Sequence, residues 1–254
     1  MDTSELNRVT ADPIQVLGMS FYFDPLTKEH GREYGLNVVE FYGLGRGGVL
    51  GDVDTPTFVE AFTFFHPTTM DFLWTNAKTK TDADPATIAA AHVEAAYAFA
   101  DRTFGAVAPS VLADFAAAAR KAAEAEPSGV CPLLDGYLKF PAPVDPVHAA
   151  YLGTILLREL RGGVHIHAVN DVELDPVAAC YLQDASVFAL HGYHESDAPV
   201  VTSDLEAKKL RAEELTSASV GACFDVLTED ERDALAEGTR AMFEALSHPV
   251  PVAR

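Results

Sequence analysis

The hydrophobic and polar positions of this chain almost never alternate as a half-buried strand requires, and β-branched runs separated by two-residue turns are nearly absent. Helix signals recur instead. The commonest is a side-chain acceptor followed by proline, which supplies a cap for the first-turn amides and then a residue preset to helical φ. Asp12-Pro13 predicts a helix to about Phe23, and Asp24-Pro25 predicts one through Tyr34. Asn37 to Leu44 reads as a short helix broken by Gly45, Gly47 and Gly48. Thr55-Pro56 opens Thr57 to Phe65, and Pro67 opens a segment carrying Met70, Phe72, Leu73 and Trp74. Asp84-Pro85 starts a long helix to about Phe104 with Gly105 as its stop, and Ser110 to Ala125 is a second alanine-rich helix. Asp145-Pro146 predicts a helix to Arg161, interrupted at Gly162-Gly163 and resuming at Val164. Asp175-Pro176 opens one through about Leu190, and a polar loop covers Glu195 to Ser203. Two helices close the chain, about Asp204 to Val220 and Thr228 to Leu246, the second opened by a Thr228/Glu231 capping box.

The fold expected is all-α, an irregular multi-helix bundle with no repeat of fixed period. Glu126-Pro127-Ser128-Gly129 and the prolines at 141, 143 and 146 break the pattern. They divide an N-terminal helical region, 1–130, from a C-terminal one, 145–254. The alternative is a long surface loop inside one compact domain.

Composition narrows the function classes. Of 254 residues, 38 are acidic and 18 basic, a formal charge of −20. A phosphate backbone is bound by clustered Lys and Arg. The nearest approach to a cluster, Lys208, Lys209 and Arg211, runs at once into Glu213 and Glu214. On this basis nucleic acid is not expected as a partner. No segment has the unbroken apolar length of a membrane span, because even Ile88 to Ala100 is interrupted by His92 and Glu94. No membrane partner is expected, and the polar N-terminus offers no signal peptide. Cys131, Cys180 and Cys223 fit neither a zinc spacing nor a disulfide framework, which points to a reducing, cytoplasmic setting.

Four stretches carry residues suited to chemistry. Gly43 to Gly51 holds five glycines around Arg46, with Tyr42 before it. Such a run permits close backbone approach, and Arg46 offers a planar fork to a carboxylate or phosphate. The bland reading is a flexible helix connection. Phe62-Thr63-Phe64-Phe65-His66-Pro67 surrounds one imidazole with apolar surface, where burial favours the neutral form. Leu156 to His167 carries Arg158, Arg161, His165 and His167. His165 and His167 point about 200° apart on a helix, so a regular element does not let them share one metal. Either arginine could bind an anion, or could pair with a carboxylate from another helix. His191-Gly192-Tyr193-His194-Glu195 closes an apolar helix and adds two histidines. With His66 and His165, His191 and His194 form a candidate metal-ligand set. No nucleophile elbow, His-Glu-x-x-His or paired cysteine motif occurs.

Taken in order, Gly45 to Gly51, Phe65 to Pro67 and Leu157 to His165 resemble an actinobacterial family that carries GRAAPLG-like, FHP and LREHRGDGH-like stretches. Members of that family are described as containing a winged-helix-like domain toward the C-terminus. The resemblance spans about residues 15 to 185 and departs from the pattern at Gly163 and Val164, where the family has Asp-Gly. It implies functional roles for Arg46, His66, Arg158, Arg161 and His165, and a reduced winged-helix-like end.

These observations lead to three functional expectations. The first is a protein that binds a small molecule in an Arg/His pocket, with Arg46, Arg158, Arg161, Phe65 and Tyr42 as binding residues and His66 or His165 as acid–base catalyst. The second is a haem or transition-metal enzyme with histidine ligands. The third is a ligand-responsive transcriptional regulator. A homodimer is a candidate assembly.

Overall fold

A computed structural model describes residues 1–247 of the chain. Every regular element among those residues is helical. The predicted caps explain most starts. The side chains of Asp24, Asn37, Asp84, Asp145 and Asp175 each accept an amide of the first turn of the helix that follows, whereas the helix expected to open at Thr55-Pro56 is capped by Asp54 and ends at Ala61, short of Phe65.

The N-terminal part contains α1 (Thr3–Met19), α2 (Pro25–Glu33), α3 (Val38–Gly47), α4 (Thr55–Ala61), α5 (Pro67–Lys78) and α6 (Pro85–Phe104). Pro13 does not open α1 but lies inside it. Asp2 caps the helix eleven residues earlier, accepting the Glu5 amide at 2.8 Å. The buried stripe Leu6, Thr10, Ile14 and Leu17 then runs through the proline, so packing outweighs the lost helical bond. Between α2 and α3 the turn is four residues long. Gly35 sits there at φ 74°, a left-handed conformation, and the Leu36 amide reaches back to the Gly31 carbonyl at 3.0 Å.

The middle and C-terminal part contains α7 (Pro109–Ala123), α8 (Pro132–Leu138), α9 (Pro146–Asp171), α10 (Pro176–Gln183), α11 (Ser203–Phe224) and α12 (Glu229–Ser247). Helix α8 falls in the stretch expected to be irregular, and it forms because Leu133, Leu134 and Tyr137 are buried. Helix α10 stops well before Leu190, because the Asp184 carboxylate turns to the amide and hydroxyl of Ser186. The predicted capping box at α12 is present, with Thr228 and Glu231 bonded reciprocally. The C-terminal part is thus two long helices, with no wing strand among the described residues.

The glycines behave differently from the expectation of breaks. Helix α9 continues through Gly162 and Gly163 for 26 residues. A Cβ on Gly163 would lie 2.3 Å from the Cys131 sulfur, so the bare backbone makes room for α8. In the same way α3 carries Gly43 and Gly45 inside it, and a 3₁₀ turn follows at Gly48–Leu50. A Cβ on Gly45 would meet the His92 Cβ at 2.6 Å, and one on Gly48 would meet the Pro85 carbonyl oxygen at 2.1 Å. The glycine-rich run is therefore a tight seam between α3 and α6. Backbone cannot yield as a side chain can, so Gly48→Ala should cost about 1–3 kcal/mol. A urea unfolding curve checks this, and an unchanged midpoint would contradict it.

Helix α9 is central, with α1, α6, α7, α8 and α11 all packed on it. The main core runs from Leu6 to Met242 and includes Trp74, Phe115 and Leu160. Two smaller clusters lie beyond it, one around Ala168, Leu174 and Ala212, the other around Cys180, Phe188 and Tyr193.

Candidate functional site

Two of the sequence stretches meet through side chains reaching from the C-terminal end of α3 and the middle of α9. Arg46, 8% exposed, places Nε 2.9 Å and Nη2 2.8 Å from the two carboxylate oxygens of Glu159, 113 residues away. Its remaining nitrogen donates to the Tyr42 hydroxyl at 3.0 Å. Arg158 adds a second guanidinium on the same carboxylate, with Nη1 2.8 Å from Oε1. Burial by itself would raise the Glu159 pKa, but Arg46 and then Arg158 outweigh it and hold the carboxyl below its ordinary range. Burial likewise works against the charged form of Arg46, and Glu159 with the nearby phenols reverses that.

The result is a buried triad in which two positive groups share one negative group. The Arg158 Nε is buried and has no hydrogen-bond partner. Beside the triad stands His92, fully buried on α6, with both ring nitrogens unpartnered. Burial, and secondarily Arg46, pushes its pKa down to about 3, so the ring is neutral. Phe21, Tyr22 and Phe41 surround it at ring separations of 4.8 to 5.9 Å.

Aromatic side chains close around the arginines. The Arg46 guanidinium lies 4.9 Å from the Phe62 ring centre, and that of Arg158 lies 5.3 Å from Tyr22. Tyr42 packs edge-on against Tyr22 at 4.7 Å and approaches Phe65 at 6.2 Å. Phe65 in turn meets His191 edge-on at 4.4 Å. The Phe-His-Pro stretch is held there by its backbone, since the His66 amide donates to the His191 carbonyl at 2.8 Å. His191 Nδ1 is 3.0 Å from the Cys180 sulfur. Burial, and secondarily Arg46, lowers the His191 pKa, while burial raises that of the Cys180 thiol to about 11. This is a neutral thiol–imidazole contact rather than an ionised pair.

The predicted residues divide into separate groups. Arg46, Tyr42 and Arg158 meet at Glu159, with Phe65 at the edge. Arg161 pairs instead with Glu213 of α11 at 2.8 Å. His165 accompanies it, with Nδ1 2.8 Å from the Thr216 hydroxyl and Phe64 against its ring at 5.4 Å. Burial lowers the His165 pKa, against the opposing pull of Glu213. His66 has a buried, unpartnered Nδ1 and packs on Tyr193 at 5.3 Å. His167 is exposed and contacts the Val130 carbonyl, and His194 is exposed on the far loop. The structure therefore does not draw His66, His165, His191 and His194 into one ligand set. Among the described residues, the three-donor group within 4.8 Å is Asp101, Asp145 and His148, which is largely solvent-facing and involves none of them.

Two members of the site escape a reading of spacing. Glu159 is legible only as a neighbour of Arg158, and His92 only as a polar interruption of an alanine-rich helix. The one available signal is a lone imidazole on an otherwise apolar helix face.

No helix among the described residues is long and apolar enough to cross a membrane. No curated protein and no solved structure matches the chain. The sequence pattern of a helix-turn-helix family matches residues 7–198. That match overturns the expectation, drawn from overall charge, that nucleic acid is not a partner, because helix-turn-helix units are DNA-reading elements. Net charge sums the whole surface, whereas a DNA contact is made by a few residues on one element.

Proposed function

Because the chain belongs to a helix-turn-helix family, matched over residues 7–198, we propose that it is a ligand-responsive DNA-binding regulator. The observation that carries this reading is the α2–α3 hairpin. Two helices of nine and ten residues are joined by a four-residue turn with a left-handed glycine at Gly35. Gly31 lets the Phe41 side chain approach within 3.0 Å of where its own Cβ would be, which locks the two helices together. These are the spacing and the packing that a helix-turn-helix needs. Most of α3 is buried, so the surface left for DNA is its first turn, Asn37 to Val39, with the exposed Lys28 and Arg32 on α2. Base contacts from the N-terminal residues of the second helix and phosphate contacts from the first are how such units dock.

The same helix supplies the link to a ligand. Helix α3 presents its N-terminal turn to solvent and its other end, Arg46, to the buried triad. A molecule that pulls on Arg46 moves the DNA-facing turn with it.

Fluorescence anisotropy with a labelled duplex from immediately upstream of the coding sequence tests the reading. Saturable binding at micromolar protein is expected at about 50 mM salt, with a loss of several-fold or more by about 200 mM. Replacing both Lys28 and Arg32 by alanine should reduce the log–log salt slope by roughly 1 to 2. Absence of binding at low salt, or an unchanged slope in the double variant, would count against it.

A further inference from the structure

Three helices bring their C-terminal ends to one cleft of about 300 Å³. The last two turns of α9 supply Val164, His167, Ala168 and Asp171. The last turn of α11 supplies Ala222 and Cys223, and Glu126 stands just beyond the end of α7. A helix C-terminus carries partial negative charge on carbonyls that have no helical partner, so each end favours a cation. The side chains act in the same direction. Glu126 and Asp171 are acidic, and among the described residues no Lys or Arg lines the cleft. The cations of the same helices are engaged elsewhere. Arg120 and Lys121 of α7 pair with Glu124 and Glu231, and Arg158 and Arg161 of α9 pair with Glu159 and Glu213. On α11, Lys208 and Arg211 pair with Asp204 and Glu214, and Lys209 donates to the Leu182 carbonyl.

Glu126 is half-buried, and among the described residues its carboxylate receives one donor, the Cys223 thiol, with Sγ 3.2 Å from Oε2. A thiol is a weak donor. Burial, and secondarily Glu126, pushes the Cys223 pKa up to about 12, so the thiol keeps its proton. His167 donates from Nε2 to the Val130 carbonyl at 2.8 Å, which leaves Nδ1 of the neutral ring as an acceptor. The cleft therefore gathers acceptors and negative charge beside the apolar side chains of Val130, Val164, Ala168 and Ala222. These donors do not close into a metal site, since among the described residues the three-donor group within 4.8 Å lies elsewhere, at Asp101, Asp145 and His148.

We propose that this cleft binds a small organic cation, a primary ammonium whose N–H groups reach Glu126 and Asp171 and whose apolar body lies against Val130, Val164 and Ala222. An ammonium brings three donors and no acceptor, which complements a cleft rich in acceptors, and its bonds to carboxylates are charge-assisted. The volume is at the lower end of the range for small-molecule sites, about 300–1,000 Å³, so the body is a short chain or a single ring. The site is separate from the Arg46–Glu159 pair and goes beyond the DNA-binding reading, and its test needs no DNA.

The probes are hexylammonium and 2-phenylethylammonium, with 1-hexanol and 2-phenylethanol as their neutral counterparts. Calorimetry at about pH 7.5 should give a dissociation constant below about 1 mM for at least one ammonium. The alcohols bring the same apolar body without the charge and should bind about tenfold more weakly or less. Glu126→Gln keeps an oxygen for the Cys223 thiol but loses the charge, and should weaken ammonium binding about tenfold or more. Asp171→Asn, at a more exposed position, should weaken it by a smaller factor. Glu244→Gln removes one charge from the exposed face of α12 and should leave binding unchanged. The proposal is overturned if neither ammonium binds, if the alcohols bind as tightly, or if binding survives Glu126→Gln unchanged. It is equally overturned if Glu244→Gln weakens binding as much as Glu126→Gln, since the attraction would then belong to the net charge and not to the cleft.

Discussion

Glu159→Ala should destabilise the fold by about 3–5 kcal/mol, because it strands two buried guanidiniums with no counter-charge. For a chain of this size that is a fall of on the order of 10 °C in the unfolding midpoint. The effect should be far larger than that of an exposed pair such as Arg240–Glu244, where water screens both partners. Replacing all three triad members with apolar residues of similar volume, Arg46→Met, Arg158→Met and Glu159→Leu, removes the imbalance together with the charges. That variant should recover most of the lost stability. Thermal unfolding by circular dichroism measures this. A Glu159→Ala variant as stable as the parent would show that the triad is hydrated rather than buried.

The second large effect is acid lability carried by His92. In the unfolded chain its imidazole titrates near 6.5, and in the folded protein at about 3. Between those values the unfolded state binds a proton that the folded state refuses. Stability is therefore full above about pH 6.5 and falls by about 1.4 kcal/mol for each unit below it. His165 and His191, also lowered by burial, act in the same direction. Glu159, held below the ordinary carboxylate range, adds its own loss only as pH falls further and its carboxyl takes up a proton. Phenylalanine has nearly the shape of the ring it would replace among Phe21, Tyr22 and Phe41, and it carries no unpartnered nitrogen. His92→Phe should thus stay within about 1.5 kcal/mol of the parent at pH 7.5, or exceed it. It should lose one proton's worth of slope between pH 6.5 and 4.5. Urea midpoints across that range give the answer, and parallel pH profiles for the two proteins would refute the assignment.

The α2–α3 hairpin and the triad place the expected chemistry unevenly. Arg46, Arg158 and Tyr42, singled out by sequence, stand together, whereas Arg161 and His165 belong to a second ion-pair group against α11. Their order along the chain says nothing about this division. Arg158 and Arg161 are three residues apart on one helix, yet one faces Glu159 and Tyr22 and the other faces Glu213. The partner is set by which helix lies across that turn of α9.

What the sequence determined by itself is the local structure: an all-helical chain, with most starts fixed by a capping side chain and a proline, because those effects act within one turn. Its errors have the same origin. Pro13 and Gly162-Gly163 read as boundaries, since intrinsic propensity is all that a local reading weighs, and burial of a continuous stripe overrode it. Only the tertiary structure decided that the glycine-rich run is a close-packed seam, that Glu159 is shared by two arginines, and that His92 is sealed beside them without a partner. Those facts depend on desolvation and on charges brought together from residues more than a hundred positions apart, and neither exists until the helices have packed.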